Sequence, residues 1–255
     1  MDNNKEKVDL SIKRLVDKDE FKFDLKKPLK SDILPDISKR LLFLILGKVG
    51  SSKSTTLMNL LYNPNFYESQ FTMKYYIAPT IYQDSTLYPA REDEDAVLID
   101  EMSDEVINEI VKNQTIMKGQ GVDSIPFSAL IIEDALADKN GVSNNNSAIS
   151  RLATNYRHKM LNIFIVSQAV NQISSVIRAN VRVIILKKLG SNKELEKFID
   201  NYSSMLGGEK YFLRMYNFVF SKPENRFDFL YINMDKGEVY HNFDKLLYKD
   251  EKEYI

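Results

Sequence analysis

Residues 40–55 read RLLFLILGKVGSSKST. The run 40–46 is apolar after its first arginine and stops at Gly47. A short, continuous apolar run of this kind suits a strand buried on both faces, as in a parallel sheet. A turn carrying Gly47 and Gly50 follows, and residues 54–62 have helical character. Strand, glycine-bearing turn and helix, in that order, bring backbone N–H groups and a helix N-terminus onto a phosphate. Lys53 would reach the β- and γ-phosphate oxygens, and the Ser54 hydroxyl would ligate Mg²⁺. Gly47, Lys48, Val49, Gly50, Ser51, Ser52, Lys53, Ser54 and Thr55 are therefore the candidate nucleotide-binding segment, with ATP and Mg²⁺ as the expected ligands. One position departs from the pattern G-x-x-x-x-G-K-[ST]: Ser52 stands where the second glycine belongs. Glycine tolerates positive φ and close approach of backbone to ligand, and serine is worse at both. The rate of any hydrolysis is thereby left open. A serine-rich turn that only caps a helix is the plainer alternative. The order of strand, turn, Lys-Ser pair and helix argues against it.

The chain repeats the apolar-run pattern. Residues 74–78 (KYYIA), 127–132 (FSALII), 161–167 (LNIFIVS) and 181–187 (VRVIILK) are further strand candidates. Between them, residues 100–111 space apolar side chains as a helix does, and 191–205 read as a helix with Ser191 at its N-cap and Glu194 at the capping-box position. Residues 229–243 hold two strand-like runs around Asp235-Lys236-Gly237, a hairpin signal. Strands alternating with helices predict βαβ units and an α/β fold with a mostly parallel sheet. The expected domains are an N-terminal arm over 1–39, an ATPase domain over 40–245 and an acidic C-terminal tail over 246–255. Residues 1–39 are charged and broken by Pro28 and Pro35. They read as a solvated extension with one short amphipathic helix around 8–16, or as an arm that docks on a neighbouring subunit.

The strand at 127–132 is followed by Glu133-Asp134, four apolar residues and then two carboxylates. One carboxylate should hold the metal shell, and the other should orient and deprotonate the attacking water. By position Glu133 is the metal-side residue and Asp134 the water-side one. The usual order is Asp then Glu, so the assignment is open to inversion. Residues 96–99 followed by Asp100-Glu101 have the same shape in the usual order. Glu133-Asp134 is preferred because an Arg-His pair and a Gln-tipped strand follow it closely. Gln168, at the end of the strand 161–167, is a candidate sensor of the γ-phosphate or attacking water. Arg151 and Arg157 flank the segment leading into that strand. Either is a candidate for a group supplied to a neighbouring subunit's γ-phosphate; six residues is not one helical period, so the two need not share a face. Arg178 is a weaker candidate of the same kind.

Composition narrows the remaining classes. The chain has 255 residues, 44% hydrophobic and 28% charged, with a net charge of −1. That is ordinary for a globular protein and excludes a disordered, collagenous or disulfide-stapled chain. With 0 Cys and only His158 and His241, no thiol nucleophile and no Cys- or His-rich metal site is available. The N-terminus MDNNKEKVDL has no apolar core, so no secretory signal is expected. The longest apolar run, Leu41 to Leu46, falls far short of the roughly 20 residues needed to span a bilayer. A near-neutral charge argues against a strongly basic nucleic-acid binder but permits a local basic face. Lys112, Lys118, Lys139, Lys187 and Lys188 are the basic candidates for such a face.

The segments RLLFLILGKVGSSKSTTLMNLL, ALIIEDALAD, RLATNYRHKMLNIFIVSQ and IRANVRVIILK together resemble the FtsK–HerA superfamily of P-loop ATPases. Within it they look most like the genome-packaging ATPases of double-jelly-roll-capsid viruses, including large DNA viruses and virophages. The order of Arg151, Arg157-His158, apolar strand and Ser167-Gln168 carries that likeness. The later ELEKFIDNY and VYHNFDKLL extend it, so it covers roughly residues 40–245. The resemblance implies a P-loop NTPase fold of RecA/FtsK type. It implies an ATP-driven motor that moves double-stranded DNA into a capsid as a homo-oligomeric ring, a pentamer or hexamer. Capsid vertex proteins are further implied partners, and no membrane is. The implied location is the host cytoplasm, in a viral factory, or the virion, and the chain is not expected to be secreted. By this likeness Lys53 is the phosphate-loop lysine, Ser54 and Glu133 the metal side, Glu133 and Asp134 the acidic pair, Gln168 the sensor, and Arg157 or Arg151 the arginine finger. The alternatives are a non-packaging DNA pump of the same superfamily, a nucleotide-binding subunit impaired in hydrolysis by Ser52, and a small-molecule kinase.

Overall fold

The computed structural model describes residues 10–12, 31–119, 127–133, 142–221, 225–249 and 251–255. In chain order the elements are β1 (Leu42–Leu46), α1 (Lys53–Tyr62), β2 (Met73–Ile77), α2 (Tyr88–Arg91), β3 (Ala96–Ile99), α3 (Asp104–Gly119), β4 (Ser128–Glu133), α4 (Ala148–Asn155), β5 (Leu161–Ser167), α5 (Ser175–Asn180), β6 (Val183–Leu186), α6 (Asn192–Tyr202), α7 (Glu209–Phe220), β7 (Leu230–Asn233), β8 (Glu238–His241), β9 (Lys245–Lys249) and β10 (Lys252–Glu253). Among the described residues these strands form one sheet in the order β3-β2-β4-β5-β1-β6-β7-β8-β9-β10. From β3 to β6 all neighbours are parallel. From β6 onward the sheet continues as an antiparallel meander. The expected α/β fold with a mostly parallel central sheet is what the chain adopts.

The apolar runs become central strands because both of their faces are covered. Along β1, Leu42, Leu44 and Leu46 face one cluster and Phe43 and Ile45 the other, the period of two that a strand imposes. Strands β4, β5 and β6 alternate in the same way. Helices α4 to α7 cover the first face, and α1 and α2 cover the second. The buried Asn162 of β5 accepts from the Leu41 N–H at 2.9 Å, which pairs the entry of β1 to its neighbour. Among the described residues no helix is long and apolar enough to cross a membrane.

Three expectations change. The first concerns the arm. Its described part is anchored at points rather than solvated throughout: Leu10, Leu34 and Ile37 are buried in the cluster that also holds β1, α1 and β7 side chains, while Ser11, Asp32, Asp36, Ser38 and Lys39 are exposed. Tyr67 and Tyr231 also donate their hydroxyls to the carbonyls of Pro35 and Ile33. Most of the expected helix around 8–16 lies outside the described residues. The second concerns the C-terminus. The sheet does not stop at residue 245, because β9 places Leu247 and Tyr248 in the core and β10 pairs with it. The third concerns Lys187, expected as a surface lysine. It is fully buried, with its N–H on the Leu46 carbonyl at 2.7 Å. Its ammonium donates to the Phe227 carbonyl at 3.1 Å and lies 4.7 Å from the Phe229 ring centroid. It is not available to contact DNA.

Burial above all, opposed by Asp228 and helped by a smaller effect of Lys53, lowers the Lys187 pKa from 10.5 to about 7. Between those two values the unfolded chain binds a proton that the folded chain does not. Stability therefore rises as pH increases from about 7 towards 10.5, by up to roughly 5 kcal/mol. Buried Tyr62, Tyr67 and Tyr76, whose pKa values burial raises, oppose this only above about pH 10. Denaturant midpoints measured from pH 7 to 9.5 should climb in the unaltered chain and stay flat in Lys187→Met. Parallel curves for the two proteins would contradict this account of Lys187.

Candidate functional site

The phosphate-loop segment sits where β1 ends, between the ends of β5 and β6. Gly47 N–H donates to the Ser167 carbonyl at 3.3 Å and Lys48 N–H to the Lys188 carbonyl at 3.0 Å. A Cβ on Gly47 would stand 2.4 Å from Lys187 Cβ and 2.7 Å from Ser51 Oγ, so only glycine fits there. The turn then closes on the Lys48 carbonyl, which accepts from Ser51 Oγ at 2.7 Å and from the Lys53 ammonium at 3.0 Å. Gly50 has φ +75°.

Ser52 is the N-cap of α1 and takes φ 62°, ψ 36°, the left-handed conformation that favours glycine. Its side chain makes no capping hydrogen bond. Its carbonyl accepts from the Thr56 N–H at 3.0 Å and the Thr56 hydroxyl at 2.9 Å. The loop thus holds the backbone shape that the missing glycine would take, at a steric cost of about 1–2 kcal/mol for a residue with a Cβ.

Ser54, in the first turn of α1, donates its hydroxyl to Glu133 Oε1. Glu133 is the last residue of β4, 79 positions along the chain and separated from β1 in the sheet by β5. It is 2% exposed, and its second oxygen, Oε2, accepts from the Tyr76 hydroxyl at 2.8 Å. Burial first, and then the Glu133 carboxylate, push the Tyr76 phenol well above its ordinary pKa, so it remains a donor. Sequence reasoning missed Tyr76. The only signal was a tyrosine in the KYYIA run, where one Tyr faces each side of the sheet.

The other expected residues are placed as follows. Gln168 follows β5 directly, beside the Ser167 carbonyl that receives Gly47, and is partly exposed. Asp134 and Lys139 lie outside the described residues, as does part of the Asn-rich loop. Asp100 and Glu101 are exposed at the end of β3, an edge strand, away from the Ser54–Glu133 contact. Arg151, in α4, binds the Asn146 carbonyl and pairs with Asp104 at 3.5 Å, with its side chain 58% exposed. Arg157 is exposed just before β5 begins. Because β1 and β5 are parallel, that is the opposite end of the sheet from the loop. Within one chain neither arginine joins the loop. Arg178 turns inward onto the carbonyls of Val170 and Ile173. Glu194 accepts from the Val170 N–H at 3.3 Å, while Ser191 caps α6 on the Glu194 N–H. Arg178 and Glu194 therefore brace the turn that follows Gln168.

The chemistry available is that of oxygen donors. Among the described residues no group of three or more His, Cys, Asp or Glu could hold a metal by itself. Ser54 Oγ and Glu133 Oε1 supply two hard oxygens at one point, which fits Mg²⁺ arriving with the phosphates of a nucleotide rather than a preformed all-protein cage.

No protein-family model and no curated protein matches the sequence. Solved structures do. The chain is similar to the genome packaging NTPase B204 from Sulfolobus turreted icosahedral virus 2 in its sulfate complex. The identity is 15% over 80% of this chain and 96% of that one, with a TM-score of 0.57. The same NTPase in complex with AMPPCP matches at 17% identity over 80% and 97%, with a TM-score of 0.56. ATPases 2 and 3 of EssC from Geobacillus thermodenitrificans match at 16% identity over 64% of this chain and 34% of that one, with a TM-score of 0.50. At these identities the likeness establishes the fold: the chain has the P-loop NTPase fold that the viral packaging NTPase and the EssC ATPases share.

Proposed function

We propose that this chain is an ATP hydrolase that translocates double-stranded DNA into a viral capsid, working as a homo-oligomeric ring of five or six copies. The observation that carries the reading is the Ser54–Glu133 contact beneath the turn that follows β1. A loop that cradles phosphates, a lysine for their charge and a hydroxyl-carboxylate pair for the cation are the parts phosphoryl transfer requires. The fold shared with a genome packaging NTPase solved with AMPPCP and with ATP-gammaS supports both the nucleotide and the motor class.

In this reading residues 47–55 wrap the triphosphate, and Lys53 leaves the Lys48 carbonyl for the β- and γ-phosphate oxygens. Ser54 and Glu133 hold Mg²⁺, which neutralises charge on those oxygens. Asp134 orients the attacking water and takes its proton. Gln168 reads the γ-phosphate from the end of β5. Arg151 or Arg157 serves the neighbouring subunit, which agrees with both being exposed and with Arg157 lying at the opposite end of the sheet from its own loop. Contact with DNA runs through phosphates, so it is largely independent of sequence and weakens with salt. Lys112 remains an exposed candidate for that contact.

Phosphate release by the purified chain should rise on adding double-stranded DNA, less so at high salt, and fall by at least about a hundredfold in Lys53→Ala. Turnover identical with and without DNA at every salt concentration would count against the motor.

A second reading, a subunit that binds nucleotide without hydrolysing it, is favoured by the positive φ of Ser52. The loop already has the glycine-like backbone, and a strain of about 1–2 kcal/mol amounts to at most about a thirtyfold rate effect. Ser52→Gly should therefore hydrolyse ATP within about thirtyfold of the unaltered chain and differ in stability by no more than about 2 kcal/mol. Turnover present only in Ser52→Gly would favour the second reading.

A further inference from the structure

Strand register puts a phenol behind the carboxylate. Tyr76 of β2 pairs with Ile131 of β4, and Glu133 stands two residues further along β4. Side chains two apart on a strand share a face, so Tyr76 and Glu133 meet diagonally on the side that α1 covers. Tyr76 is fully buried and Glu133 nearly so. A buried carboxylate needs donors for its oxygens. Here Tyr76 Oη donates to Oε2 at 2.8 Å, and Ser54 Oγ donates to Oε1.

We propose that Tyr76 is a positioning residue: its hydroxyl holds Oε2 so that Oε1 stays aimed at Ser54 and at the cation that accompanies the nucleotide. The proposal rests on Ser54 and Glu133 being the metal side. Two donors on opposite oxygens fix the carboxylate plane. Without the phenolic hydroxyl, the group can rotate about its last bond, and both oxygens compete for Ser54. Hydrogen bonds to a metal-holding carboxylate typically change metal affinity by 10- to 100-fold. Phenylalanine keeps the ring that packs in the core and removes only the hydroxyl, so Tyr76→Phe separates positioning from packing.

The test uses the full chain, a non-hydrolysable ATP analogue and Mn²⁺ as a paramagnetic probe. In Tyr76→Phe the Mn²⁺ affinity of the analogue complex should fall by about 10-fold. Analogue affinity in EDTA should stay within about twofold. In Glu133→Gln the Mn²⁺ affinity should fall as well, and adding Tyr76→Phe to it should cost little more, because Tyr76 acts through that carboxylate. Unchanged Mn²⁺ affinity in Tyr76→Phe overturns the proposal. So does an equal loss with and without metal, which would mark a packing role, and so does a fully additive double variant. If Glu133→Gln itself leaves Mn²⁺ binding untouched, the assignment of the metal side fails, and the proposal falls with it for that separate reason.

Discussion

The hydrogen bond between Ser54 and Glu133 is the contact around which the rest of the molecule is arranged. It joins the first turn of α1 to the last residue of β4 across an intervening strand. Such a contact exists only if β1, β5 and β4 are parallel and end at the same level. The pairings of Leu46 with Ser167 and of Glu133 with Val166 provide that level. Any one-residue slip of β4 would send Glu133 to the other face, because side chains alternate with period two. The alternating core residues of β1, β4 and β5 make that slip costly, since it would expose one apolar set and bury the wrong one.

Two local penalties are tolerated at this place. Glu133 is nearly out of water, which an acidic group accepts only with donors on its oxygens. Ser52 holds a left-handed backbone that a side chain disfavours. Lys187 adds a third, a buried amine whose stem lies against Gly47 and whose pKa burial depresses to about 7. Strain and buried polarity concentrated at one loop are what a ligand-binding turn on a rigid sheet accumulates, and the apolar strands around it carry the stability that offsets them.

Much of this was legible from the chain alone, for a local reason. Residues 40–46 and 161–167 are apolar without a break, and only a two-sided strand buries such a run. Gly47, Gly50 and the Lys53-Ser54 pair stand at spacings that have little use apart from phosphate. Ser191 announced its own cap, since that bond spans only three residues. The misreadings arose where partners are distant. KLLYK at 245–249 looks like the start of a charged tail until β8 supplies an edge for it. Helix α7, EKYFLRMYNFVF, lies between the expected helix at 191–205 and the hairpin at 229–243, and buries Phe212, Met215, Tyr216 and Val219 at helical spacing in the cluster it shares with α6. Lys187 carries a surface residue's name in a position that β1 and the segment at 227–229 enclose.

By itself, the order of residues determined the fold class, the position of the candidate phosphate loop and the identity of Glu133 as a candidate, because each depends on periodicity or spacing within a few residues. Tertiary structure alone decided that Glu133 meets Ser54, that Tyr76 stands behind that carboxylate, and that Arg178 braces its own chain while Arg151 and Arg157 remain exposed. Those outcomes depend on strand order and register. Both are set by burying two faces of one sheet at once, a condition that no window of neighbouring residues contains.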